Sequence, residues 1–307
     1  MSRRITRVSS TPRVVKPQSR IYTVFPDRIG DSPIATEYGD DDLRKARERK
    51  YPVHGLVVHM TGSTIVKKAI GHGADPIDFA SNYYTRKDYS VHYLGDYDGQ
   101  LWQFTDDRLR TPHVGVSGSE RAAYLSGAWA KGKKAKGQGD QGLIGPIVPT
   151  SVKRWKNDWH YKSPQHLFST RYVNDSYVGI ELPPCGFHVR GVWTALPEHK
   201  PMRDGLRHTI GQHVAIAFLA WDLAERWDWP NDWHVDPNGG SRSPRLPGHE
   251  DVDLFGRSNK YGGWDVGWLR KTIWFDWDFV YVVIRMRHDY PSFEVYVSTV
   301  LREILDQ

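Results

Sequence analysis

The chain has 307 residues, of which 39% are hydrophobic, and its 13 Trp, 16 Tyr and 10 Phe give enough apolar surface for a packed core without covalent staples. A single cysteine, Cys185, excludes an intramolecular disulfide framework and any cysteine-rich zinc module, and it fits folding in a reducing compartment. The net charge of +6 favours polyanionic partners such as nucleic acid, anionic lipid or bacterial wall polymer, and no run of about 20 apolar residues is present to span a bilayer.

The first 50 residues open with Arg3, Arg4, Arg7, Arg13, Lys16 and Arg20 and have no acidic residue before Asp27, which predicts a basic arm ordered only by a partner, if at all. No apolar stretch follows these arginines, so no ordinary secretory signal is expected. Asp40 to Lys50 is densely charged and predicts a solvated helical turn or two leading to a domain that starts near Tyr51.

Gly55 to Met60 is a short apolar run ended by Thr61-Gly62-Ser63, which predicts a buried strand with His59 near its end. Ser90 to Thr105 has two alternating runs around Asp98-Gly99 and predicts a β-hairpin. The segment from Val116 to Ser176 shows no periodicity; its basic, glycine-rich stretch Lys131 to Gly142 and its neighbours Trp129, Trp155, Trp159 and Tyr161 predict either a solvated loop or a groove wall. Tyr177 to Leu182 predicts a second buried strand, in which Glu181 is costly unless it is paired, metal-bound or functional.

Asp204 to Trp229 predicts the longest helix, with Asp204 as cap, Pro230 as stop and Leu206, Ile210, Val214, Ala217, Trp221 and Ala224 on its core face. Residues 246 to 267 then gather His249, Glu250, Asp251, Asp253, Arg257, Lys260 and Asp265 in a glycine-punctuated loop, one half of a zinc site whose other half is His59. Neutral imidazole and carboxylate suit that metal. Three aspartates compete for the last coordination position. Asp251 and Asp253 are close to His249, while Asp265 follows Gly262-Gly263, where the backbone can turn back toward the metal. Beyond Arg270 the aromatic and β-branched run predicts an added packing element or assembly surface, with a short helix from Phe293.

The motifs LVVHMTGS, SVHYLGDYDGQLWQF, TPHVG, YVGIEL and GHEDVD with a later WDVG resemble, in that order, the zinc-dependent N-acetylmuramoyl-L-alanine amidases of the peptidoglycan-recognition (amidase type 2) superfamily. The resemblance implies an α/β fold with a mixed central sheet flanked by helices. The amidase domain would span 51–271 with an insertion at about 116–176, preceded by the 1–50 arm and followed by a 272–307 packing or assembly segment. It implies Zn2+ held by His59, His249 and Asp265, with Glu181 as the catalytic carboxylate and Lys260 as an oxyanion cation, a role for which Arg257 competes. His113, Tyr93 and Arg257 are expected to bind substrate. The implied reaction is hydrolysis of the amide between muramic acid and L-alanine of peptidoglycan. Two departures stand out: Gly263 sits where the family often has Lys or Arg, and the spacing from His249 to Asp265 is long.

The expected partners are peptidoglycan and, through the two extensions, proteins of a phage particle or injection machine, with no nucleic acid and no membrane insertion. The expected route is synthesis in the cytoplasm and action on the wall after lysis, injection or from a virion. The alternative from another functional class is a non-catalytic peptidoglycan-binding or structural particle protein of the same fold.

Overall fold

The computed structural model describes residues 35–37, 47–49, 52–86, 91–114, 174–190, 192–229, 245–249 and 275–305. Among them the organising element is a five-stranded mixed sheet, in which Ala35–Glu37, Leu101–Gln103, Tyr93–Gly95, Tyr177–Leu182 and Gly55–Met60 lie side by side in that order. Its strands are β1 (Ala35–Glu37), β3 (Gly55–Met60), β4 (Tyr93–Gly95), β5 (Leu101–Gln103) and β7 (Tyr177–Leu182). β3 and β4 both run parallel to β7, β4 and β5 form the antiparallel hairpin, and β1 pairs parallel with β5. The hairpin turns at Gly99, whose φ of +90° is open to glycine and strained for other residues.

The first strand comes from the stretch read above as a basic extension, so the sheet begins upstream of Tyr51. The charged segment also departs from expectation. Arg47–Glu48 forms β2, antiparallel to β6 (Leu109–Arg110), rather than a helical turn; its earlier residues, 40–46, lie outside the described residues.

Side-chain alternation divides the sheet into two chemically different faces. Leu56, Val58 and Met60 of β3, Val178, Ile180 and Leu182 of β7, and Tyr93 of β4 join the main core cluster. That core is closed by α3 (Ile210–Arg226), α4 (Trp277–Met286) and α5 (Phe293–Val300), with Trp277, Tyr281 and Tyr296 fully buried in it. The opposite face is covered in part by α1 (Ser63–Gly71) and α2 (Pro76–Arg86), through Ile65 of α1 and Ile77 and Ala80 of α2, which pack with Leu94 and Trp102. A small hairpin of β8 (Gly186–Val189) and β9 (Val192–Ala195) follows β7.

The long helix begins later than the sequence suggests. Thr209, not Asp204, is its cap: the Thr209 hydroxyl accepts from Gln212 N–H and the Gln212 side chain accepts from Thr209 N–H, closing a capping box. Gly205, at φ +85°, turns the chain before that point. The helix is buried on nearly all sides from Gly211 to Ala224, because the segment beyond residue 275 covers the flank that faces away from the sheet. Trp221 Nε1 donates to Ile284 O at 2.5 Å, and Asp276 N donates to His213 Nε2 at 2.9 Å.

Candidate functional site

β3 carries neighbours on both sides, and this brings distant histidines together. On one side its parallel register with β7 sets His59 opposite Glu181. On the other, Leu56 N donates to Arg245 O at 2.7 Å and Val58 N to Pro247 O at 3.0 Å, with Val58 bridged in parallel to Gly248. The next residue along each chain is then His59 and His249. Their Nδ1 atoms lie 2.8 Å apart although 190 positions separate them, and each residue is only 2% exposed.

A third histidine completes the cluster. His59 Nε2 lies 3.1 Å from His113 Nδ1, and His113 Nε2 lies 3.0 Å from Tyr177 O. The His113 ring rests on Gly179, where a Cβ would stand 2.4 Å from its Nδ1. This is a packing reason for glycine in the middle of β7. The backbone of His113 is held by Asn174, whose Oδ1 accepts from His113 N at 3.1 Å and Val114 N at 2.9 Å while its Nδ2 donates to Val114 O. Burial pushes the His113 imidazole down to about 3, against the raising effect of its bond to the Tyr177 carbonyl, so the ring is neutral near pH 7.

Two residues that the sequence reading passed over support this arrangement. His92, on the same sheet face, accepts from Gly179 N through Nδ1 at 3.0 Å, and its Nε2 lies 2.9 Å from Leu109 O. Burial, then the nearby Arg49, hold it neutral, well below the ordinary histidine range. Arg49 donates to the carbonyls of Asn174 and Tyr177, both at 3.1 Å, and to that of Asp107. Desolvation lowers its guanidinium to about 10, where it still carries its charge at neutral pH. The expected solvated charge is therefore an internal tie between the start of the chain's first core segment and the strand that bears Glu181.

Tyr93 requires a correction. It sits on the helix-facing side of β4, 0% exposed, and its hydroxyl donates to Asp107 Oδ2 at 2.7 Å. Arg226 closes the same buried group, 2.8 Å from Asp107 Oδ2 and 2.8 Å from Asp222 Oδ2. Strand parity explains the difference: His92 and Leu94 face the histidine cluster side, so Tyr93 between them cannot. It packs the core and does not line a substrate groove. Glu181 is half-buried near the C-terminal end of β7, on the same face as His59. Asp251, Asp253, Arg257, Lys260 and Asp265 lie outside the described residues, as does the Lys131 to Gly142 stretch.

Among the described residues no three His, Cys, Asp or Glu side chains form a ready metal set. The donor chemistry of the described pair nevertheless fits zinc. Two imidazoles converge through Nδ1, and the 2.8 Å between them would need to open only to the roughly 3.3 Å that tetrahedral bonds of about 2.05 Å to each nitrogen imply. Among the described residues no helix is long and apolar enough to cross a membrane. Set against family models, curated proteins and solved structures, the chain matches none.

Proposed function

We propose that the protein is a zinc-dependent peptidoglycan hydrolase that cleaves the amide between N-acetylmuramic acid and the L-alanine of the stem peptide. The observation that carries this reading is the meeting of His59 and His249, Nδ1 to Nδ1, at the carboxyl end of a parallel strand pair with Glu181 in register beside them. Ligand sites in open α/β sheets gather outside the carboxyl ends of strands. A set of His59, His249 and Asp265 would hold Zn2+, which when bound supplies a Lewis acid for the amide carbonyl and lowers the pKa of a water toward 7.

The work left to the chain is proton transfer and charge balance. Glu181 takes the proton of the attacking water and passes it to the departing amine, so that L-alanine leaves as a free amino terminus. Lys260 or Arg257 would donate to the developing oxyanion. His113 and His92, neutral and already engaged with backbone groups, hold the floor of the site. The basic arm fits delivery to the wall from a phage particle or injection machine, whereas the C-terminal segment is occupied in closing the core.

The test is mass spectrometry of purified peptidoglycan after incubation with the protein, with and without a chelator. Stem peptides with a free L-alanine amino terminus, lost on chelation and restored by zinc, are expected. New reducing sugar ends would make the protein a glycosidase, and wall binding with no cleavage in the presence of zinc would make it a recognition or structural protein.

A further inference from the structure

We propose that His113 is a positioning residue that fixes the tautomer of His59 through a two-step relay starting at the Tyr177 carbonyl. The hydrogen-bond inventory of a neutral imidazole is one donor and one acceptor, so a bond made at one nitrogen dictates the role of the other. The Tyr177 carbonyl can only accept. His113 Nε2, 3.0 Å away, must therefore carry the proton, which leaves His113 Nδ1 as an acceptor. His59 Nε2, 3.1 Å from that Nδ1, must be the donor, and the lone pair of His59 is then on Nδ1, directed at His249 Nδ1 2.8 Å beyond. In the metal-free protein His249 donates its Nδ1 proton to that lone pair.

The two imidazoles are thus unlike. His59 is preset as a ligand by the backbone of β7, while His249 must move its proton before it can bind a cation. The starting point of the relay is itself held, because Tyr177 O also accepts from Arg49 Nη1 at 3.1 Å. The ring of His113 is held between that carbonyl and the Cα of Gly179, where any side chain would displace it. The substrate-binding role expected for His113 gives way to an orienting one: both of its ring nitrogens are spent on protein groups. The geometry stands by itself, and its purpose rests on the zinc reading of the preceding section.

Long-range 1H–15N correlation NMR on the metal-free protein reads the tautomers directly. His59 and His113 are both expected to be protonated at Nε2 and bare at Nδ1, with His249 protonated at Nδ1. In His113→Phe the Nδ1-protonated form of His59 becomes populated and zinc affinity, measured by competition with a chromophoric chelator, falls about 10- to 100-fold. His113→Asn, which offers an amide oxygen to His59 Nε2–H, recovers most of that loss. A proton on His59 Nδ1 in the unsubstituted protein overturns the relay, whether or not the variants fold. So does a His113→Phe protein whose His59 tautomer and zinc affinity are both unchanged. If the tautomers are as stated and the unsubstituted protein binds no zinc, the relay holds and the zinc reading falls.

Discussion

His213 links the long helix to the C-terminal segment as a neutral imidazole, and protonation should break that link. Its Nδ1 donates to Thr209 O at 2.6 Å, its Nε2 accepts from Asp276 N at 2.9 Å, and its ring stacks on Phe275 with centroids 4.2 Å apart. An imidazolium would present a second N–H where Asp276 N–H already points. Burial accordingly pushes the group from 6.5 down to about 4. A folded-state pKa below the unfolded one means that stability is fully present above pH 6.5 and is lost as the pH falls toward 4, where the unfolded chain binds the proton more readily. The gap amounts to about 3 kcal/mol at pH 4. Replacing His213 by Phe keeps the aromatic stack and takes the acceptor from Asp276 N–H, while Thr209 O still accepts from His213 N at 3.3 Å; this costs about 1–3 kcal/mol at pH 7 but removes the proton linkage. Urea unfolding followed by tryptophan fluorescence from pH 7 to pH 4 compares the two proteins. The titrations of His54, His92 and His113 cancel in the difference. The stability difference between them should shrink by about 3 kcal/mol over that range, so that near pH 4 the variant equals or exceeds the parent. Two parallel stability curves would refute the assignment of His213 as a neutral buried link.

Three other outcomes follow from the site and its supports. Glu181→Gln should retain zinc content and melting temperature while turnover on purified walls falls by roughly 10²- to 10⁴-fold, the usual worth of a general base; near-normal turnover would return Glu181 to a structural role. Asp265→Ala should abolish tight zinc binding and Asp251→Ala only weaken it, and the reverse order in a metal-content assay would mean that the loop from His249 supplies its ligands locally. Arg49→Met should lower stability by about 2–3 kcal/mol, because a charged donor is withdrawn from buried carbonyls. A change within about 0.5 kcal/mol in urea denaturation would place Arg49 among ordinary surface cations.

The parts of this architecture that the sequence reveals are those in which local pattern and tertiary environment agree. Gly55–Met60 and Tyr177–Leu182 read as strands because each is a short apolar run between breakers; Tyr177–Leu182 lies inside the sheet, and Gly55–Met60 ends the sheet's order but is flanked on its outer side by the 245–248 backbone. The hairpin reads from Asp98-Gly99, whose φ demand is local. The start of the long helix is misplaced by a reading that takes Asp204 as its cap: Thr209 caps it, because Thr209 and not Asp204 has glutamine three residues on to complete the box. Arg49 could not be recognised among its charged neighbours. Its partners are carbonyls 58 to 128 positions away and the ring of His92, 43 positions away, and an arginine that meets buried acceptors is indistinguishable in sequence from one in water.

Tyr93 was open to recognition, and the reason bears on the site as a whole. Once Glu181 is taken as functional, period-2 alternation fixes which residues of every neighbouring strand share its face. Gly179 and His59 share it directly, and in β4 the parallel pairing of Leu94 with Glu181 selects His92 and Leu94 over Tyr93. The same parity explains why β7 can afford a glycine at 179. That position lies under the histidine cluster, where a side chain would strike His113, whereas Val178 and Ile180 on the opposite face must fill the core beneath the long helix. One strand therefore serves two surfaces with alternating demands: bulk for the helix side, and space plus a carboxylate for the histidine side. An exchange of Gly179 and Ile180 would preserve composition and hydropathy yet reverse both demands, and it should cost the protein its core packing and its histidine cluster together.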